Sequence, residues 1–444
     1  MLYRSKLVLI QTDHSRRDAR SAYLISMYLR ASGIRTIISN RYTTRPLLLT
    51  LKPDLALLCS ASGGLSITEF KELSKSTIFY YMHPESSGMH REAMLDAISG
   101  GNYNELRDLY TENISKLFTW GTVLKDWVIE AKLFDDERVS VVGNPRYDFY
   151  RVSHSAKKQG VGIMSSFTGL TNFDNRNILE AVDNGRGMGG VHYSANGGYE
   201  DFLWAAAGYA RIFYEFLDIW CLDLKRNISF RTYPLESLRD MVFFKKKYEP
   251  YIWFNEKKPF DQWLLTKEAN IFCYSSSIAE SLISGVPYIC VQDILGKRLD
   301  YLMPRNEVPD TRGDLYNYAY RPNSVKQLVE FAESALHGNL PMPVDPNIHS
   351  SAKKMLSEYY GFPSCSPASE LIADSILLEL RTDRRRNNDR RIKWILPALK
   401  SPLSIIYDLT NPKARLNFAD YHYFYLPSDV KRHVEDVFEQ LSSG

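Results

Sequence analysis

Nothing in this 444-residue chain approaches the roughly 20 consecutive apolar residues that a membrane-spanning helix needs. The opening run Leu2 to Gln11 has the length and flanks of a strand, so no signal peptide is read there. Cysteine is scarce. Cys59, Cys221, Cys273, Cys290 and Cys365 are odd in number, lack C-x-x-C spacing and mostly sit in or beside apolar runs, which argues for buried thiols in a reducing compartment. The one G-x-G-x-x-G spacing, Gly185 to Gly190, falls inside a Gly/Asn-rich stretch and not between a strand and a helix start, and no Walker-type loop is present, so dinucleotide and ATP binding are not indicated. It has no H-x-x-H or D-x-D spacing that demands a metal, and no metal ligand or cofactor is assigned. A net charge of +3 is too small to argue for nucleic acid as a partner. These absences point to a cytoplasmic globular protein, at most peripheral to the inner membrane.

What is present is clearest in Ile271 to Cys290, IFCYSSSIAESLISGVPYIC. Ile271 to Tyr274 is a short apolar run suited to a buried parallel strand. Ser277 and Glu280 have the S-x-x-E spacing of a capping box, Ile278, Leu282 and Ile283 share one helical face, and Gly285 with Pro287 stops the helix before Tyr288 resumes a strand. Ser275, Ser276 and Ser277 then lie where a strand's carboxyl end meets a helix start, a place that attracts anions in open α/β sheets. An ordinary capped helix is the alternative reading.

Elsewhere short apolar runs alternate with amphipathic segments: Lys6–Gln11, Ile34–Ser39, Leu55–Cys59, Thr77–Met82, Lys116–Thr119 and Val139–Val142 as strands, with a first helix near Ala19–Ala31. Such alternation predicts a parallel sheet with helices on both faces. This gives a first domain over residues 1–150, a polar linker at Tyr150–Gln159, and a second βα domain over 160–380. The second domain contains a long Gly/Asn-rich stretch, Asn172–Gly198, and an apolar helix near Phe202–Leu222. The expected class is α/β, with two Rossmann-like domains and a central cleft. Residues 381–444 form a tail. Arg381 to Lys393 carries seven basic and two acidic residues, so +5 sits in this stretch and the rest nets −2. The tail reads either as a C-terminal helical segment packing back on the first domain or as a peripheral anchor on an anionic membrane surface.

Several motifs line up with one family. Phe230-Arg231-Thr232-Tyr233-Pro234 followed by the Ser275-Ser276-Ser277 helix start resembles the CMP-binding half of bacterial CMP-sugar glycosyltransferases of GT-B fold. Gly143-Asn144-Pro145-Arg146-Tyr147-Asp148 is similar to the G-N-P-R-x-D turn of surface-carbohydrate biosynthesis proteins, and Ser165-Ser166-Phe167 through Asn172 to Arg176 to their next motif. Together these resemble the retaining β-Kdo transferases of capsule and lipopolysaccharide O-antigen synthesis. The family's histidine in the H-P turn is Tyr233 here.

The resemblance implies a GT-B-like fold and transfer of Kdo from CMP-β-Kdo to a lipid-linked or oligosaccharide acceptor, with retention. It places Ser275, Ser276, Ser277, Arg231 and Tyr233 at the CMP phosphate, with Glu280 closing the cap and Asn144, Arg146, Arg176 and His83 as further binding residues. A nucleophilic aspartate is expected before the H-P turn. Asp201, 32 residues ahead of Tyr233 and preceded by Glu200, is the first choice and Asp174 the second. Glu85, after His83, is the expected acid/base. The competing readings are a transferase or epimerase using a UDP-sugar or CDP-linked polyol, and a non-catalytic GT-B scaffold that binds glycan.

Overall fold

A computed structural model describes residues 6–13, 15–60, 62–84, 91–99, 111–152, 157–165, 199–232, 241–254, 258–273, 275, 277–295, 318–340, 346–382 and 428–443. The chain forms two compact units, Met1–Val152 with Lys354–Gly444, and Ser153–Lys353.

The first unit is built on six parallel strands: β1 (Leu7–Thr12), β2 (Arg35–Asn40), β3 (Leu55–Leu58), β4 (Ile78–Met82), β5 (Ile114–Thr119) and β6 (Val139–Val141). Their order is β2-β1-β3-β4-β5-β6. Successive side chains on a strand point to opposite faces, and helices cover both, so the central strands β3 and β4 are apolar at every position. Val8, Ile10, Leu55, Leu57 and Tyr80 enter one core. Leu9, Ala56, Leu58, Phe79 and Tyr81 enter the other.

The helix Ala368–Thr382 completes the first of these cores with Ile372, Ala373, Ile376 and Leu380. Burying each larger aliphatic is worth about 1.5–3 kcal/mol. That burial holds residues from Lys354 onward in the first unit, although the sequence reading ran the second domain to residue 380. The helix Ser428–Ser443 adds a satellite core, Val434 and Val437 with Leu24 and Phe149, and Glu435 accepts the Tyr23 hydroxyl at 2.9 Å. The basic run from residue 383 and the apolar stretch to 427 lie outside the described residues. Among the described residues no helix is long and apolar enough to cross a membrane.

The second unit has five parallel strands: β7 (Val161–Met164), β8 (Ile228–Arg231), β9 (Ile252–Phe254), β10 (Ala269–Phe272) and β11 (Tyr288–Cys290), in the order β11-β10-β7-β8-β9. Ile163, Phe230 and Ile271 pack with Phe213, Phe216, Trp220 and Leu328 in its core. The apolar helix here runs Tyr199–Leu217 and continues as a π-helical turn through Asp223. In the first unit the helix after β1 begins at Ser15, four residues ahead of the apolar periodicity, because its first turn carries Arg17 and Asp18 and shows no apolar face.

Candidate functional site

In each sheet the strand order reverses once. In the second unit β7 has β8 on one side and β10 on the other, so the crevice at the carboxyl ends of β7 and β10 is the place where open α/β sheets bind ligands. Ser165 follows β7, Arg231 ends β8, and Ser275 and Ser277 follow β10. Residues separated by more than a hundred positions thus share one edge of the sheet.

The local geometry corrects the cap. Ser277 is helical (φ −68°, ψ −2°) and makes no side-chain cap. Instead the Ser275 hydroxyl accepts the Ser277 backbone N–H at 3.2 Å and the Ser277 hydroxyl at 2.7 Å, while the Ser275 carbonyl accepts the Ile278 N–H at 3.3 Å. A capping side chain serves the N–H two or three residues on, so the cap is Ser275 and the Ser277/Glu280 box does not form. Gly285 ends the helix at φ +66°, a conformation open to glycine without strain. Glu280 is buried in the first turn.

Arg231 holds a fixed pose. One terminal nitrogen donates to the Lys258 carbonyl at 2.6 Å, and the guanidinium lies 5.5 Å from the Phe260 ring centre. The Arg231 carbonyl accepts the Ser165 N–H at 3.0 Å, tying β8 to the residue that leaves β7. Asp201 and Glu200 fall in the first turn of Tyr199–Leu217, but their side chains lie outside the described residues. Asp174, Arg176, Tyr233, Ser276 and Glu85 also lie outside them.

In the first unit the reversal falls between β1 and β3, and a pocket of about 50 Å³ opens there. Gln11, Cys59, Met82, Trp120, Asn144 and Arg146 are in its wall, so the structure gathers two sequence candidates, Asn144 and Arg146, at one site. Gln11 accepts the backbone N–H groups of Cys59 and Ser60 at 3.0 and 3.2 Å. Asn144 caps the short helix Pro145–Tyr150 by accepting the Arg146 N–H at 3.0 Å. Both amides are thereby oriented, because only a carbonyl oxygen can accept these bonds.

His83 follows β4. Burial, and then the positive charges of Arg17 and Arg41, push its imidazole down to about 3, with Asp18 opposing. A ring held neutral so firmly accepts a hydrogen bond well but takes a proton poorly near neutral pH. Those arginines are themselves tied: Arg17 bridges Asp13 at 2.9 Å and Asp18 at 2.8 Å, and Arg41 also pairs with Asp13.

Sequence reasoning missed Gln11 and Trp120 at this site. The available signal was a polar residue closing an apolar strand, Leu7-Val8-Leu9-Ile10-Gln11, at the sheet end where ligands bind. Among the described residues no group of His, Cys, Asp and Glu side chains is arranged to hold a metal.

No family model and no curated protein matches the sequence. Solved structures do. The wall teichoic acid polymerase TagF, as a variant soaked with CDPG, is 12% identical at a TM-score of 0.52, the alignment covering 85% of this chain and 89% of that one. The Methanocaldococcus jannaschii UDP-GlcNAc 2-epimerase, solved with UDP-GlcNAc and UDP, is 14% identical at 0.47, over 84% and 99%. An S. aureus MnaA–UDP structure is 11% identical at 0.48, over 87% and 100%. The two reversing parallel sheets and the likeness to the polymerase establish an α/β protein with two Rossmann-like domains of the GT-B fold.

Proposed function

We propose that this protein is a glycosyltransferase that takes Kdo from CMP-β-Kdo and passes it, with retention, to a surface-glycan acceptor at the cytoplasmic face of the inner membrane. The observation that carries the reading is the convergence of Ser165, Arg231, Ser275 and Ser277 on the reversal point of the second sheet. A phosphomonoester leaving group needs hydrogen-bond donors and positive charge, and hydroxyls, turn N–H groups and an arginine provide both. In this scheme the Asp201 carboxylate attacks the anomeric carbon as the bond to CMP breaks. An acceptor hydroxyl then displaces Asp201 while Glu85 takes its proton, and two inversions give retention. Glu200 flanks the nucleophile, Asp174 is the alternative nucleophile, and Arg176, Tyr233 and Ser276 join the donor site. His83 serves as a hydrogen-bond partner, not as the base. The basic stretch Arg381–Lys393 provides the membrane contact.

A second reading, transfer from a CDP-linked polyol, is favoured by the fold shared with a polymerase structure soaked with CDPG. Calorimetric titration with CMP, CDP, UDP and GDP, each with and without a divalent cation, separates the two. Saturable, cation-independent binding of CMP supports the Kdo reading, and preference for CDP supports the polyol reading. UDP preference indicates a UDP-sugar enzyme, and no nucleotide binding indicates a non-catalytic scaffold. With CMP-Kdo as donor, Asp201→Asn is expected to abolish transfer and keep nucleotide affinity. Full activity in that variant would shift the nucleophile to Asp174.

A further inference from the structure

The pocket at the reversal point of the first sheet has a one-sided chemistry. Gln11 and Asn144 spend their amide oxygens on backbone N–H groups, which leaves Gln11 Nε2 and Asn144 Nδ2 as buried donors with no protein acceptor. Trp120 Nε1 and Arg146 Nε, in the same wall, are also buried and unpartnered. Gln11, Asn144 and Trp120 are 4%, 3% and 3% exposed, so bulk water does not serve them. An unsatisfied buried donor costs about 1–3 kcal/mol, and four on the wall residues of one small cavity are a concentration that folding alone does not favour.

We propose that this pocket binds an oxyanion, a carboxylate or a phosphoryl group. Such a group only accepts hydrogen bonds, and the unpartnered nitrogens only donate. The wall also holds Thr12, Asp18 and Ser21 beside Ile10, Leu57, Leu58 and Met82, and the buried, unpartnered Ser21 hydroxyl can donate to the same group. The cavity, of about 50 Å³, has room for one compact group. Asp18 also borders the pocket, but Arg17 holds its carboxylate with two bonds, at 2.8 and 3.0 Å. Arg146 supplies the positive charge, its guanidinium 5.1 Å from the Trp120 ring centre. The assignment does not depend on the donor nucleotide, whose proposed site is in the other unit.

Calorimetric titration of the full chain with acetate and, separately, with inorganic phosphate tests it. Saturable binding of acetate alone identifies a carboxylate site, and of phosphate alone a phosphoryl site. Asn144→Asp keeps the oxygen that caps Arg146 and replaces the donor with an acceptor, so affinity should fall more than tenfold. Trp120→Phe keeps an aromatic ring of smaller size, removes one donor and should weaken binding several-fold even if the first variant folds poorly. Absence of saturable binding by either anion overturns the assignment. So does binding that survives both substitutions, which would place the anion elsewhere.

Discussion

The Asp148 carboxylate accepts the backbone N–H of Ser369 at 2.8 Å and that of Ala368 at 2.9 Å, capping a helix that begins 220 residues later in the chain. The side chain is 2% exposed, with Arg151 at 3.5 Å. This contact explains the last position of the Gly143–Asp148 motif: it joins the end of the first βα series to the returning C-terminal helices.

Burial pushes the Asp148 carboxyl up to about 6 from its ordinary 3.8, against the bonds from Ser369 and Ala368. A carboxyl with a raised folded pKa holds its proton longer folded than unfolded. Its stabilising contribution is full below about pH 4 and is lost as pH rises through about 6, a change on the order of 3 kcal/mol. Urea unfolding across pH 4–8 should show stability falling over that window, and Asp148→Asn should flatten the slope. The variant should also be less stable at pH 5, by about 1–3 kcal/mol, because its amide meets one of the two N–H groups with a donor.

Gly361 has φ +64°, and a Cβ there would lie 2.1 Å from the Trp120 carbonyl oxygen and 2.7 Å from Gly143 Cα. These are backbone atoms, so no side-chain rotation relieves the clash. Gly361→Ala is expected to cost about 3 kcal/mol or more, read as a large drop in Tm, from the clash together with the left-handed backbone.

Ser275 and Ser277 should separate in their effects. Ser275→Ala removes the oxygen that accepts the Ser277 N–H, and losing a cap costs about 1 kcal/mol. Ser277→Ala removes only the hydroxyl bond to Ser275 and should change stability less. Chemical denaturation ranks the two. If the second unit holds the nucleotide phosphate, both should also weaken the nucleotide titration.

Deleting Ser428–Gly444 uncovers Leu24 and Phe149 and removes Val430, Val434 and Val437, all buried. The loss should exceed about 3 kcal/mol from apolar burial alone, and Val434→Ala should give a smaller version of it. Scanning calorimetry of both variants checks this. Unchanged unfolding of the deleted chain would show that the helix contributes no stability.

Much of this architecture can be read from residue order. Leu55-Ala56-Leu57-Leu58 and Ile78-Phe79-Tyr80-Tyr81 are apolar without alternation because helices cover both faces of the sheet, and that feature identifies parallel strands in a sequence. Gly285 stopped its helix where expected. The cap at Ser275 was misplaced because three adjacent serines offer the same chemistry, and only the backbone angle at Ser277 shows which one stands outside the helix.

The sequence by itself determined the βα repeats and the sheet ends where polar residues cluster, since each follows from residue type and local spacing. The tertiary structure alone decided that residues beyond Lys354 complete the first unit, that Asp148 caps a helix, and that Gln11, Trp120, Asn144 and Arg146 share one pocket. Those relations join positions separated by tens to hundreds of residues. No local periodicity encodes such distances; they follow from strand order and from which apolar faces remain to be buried.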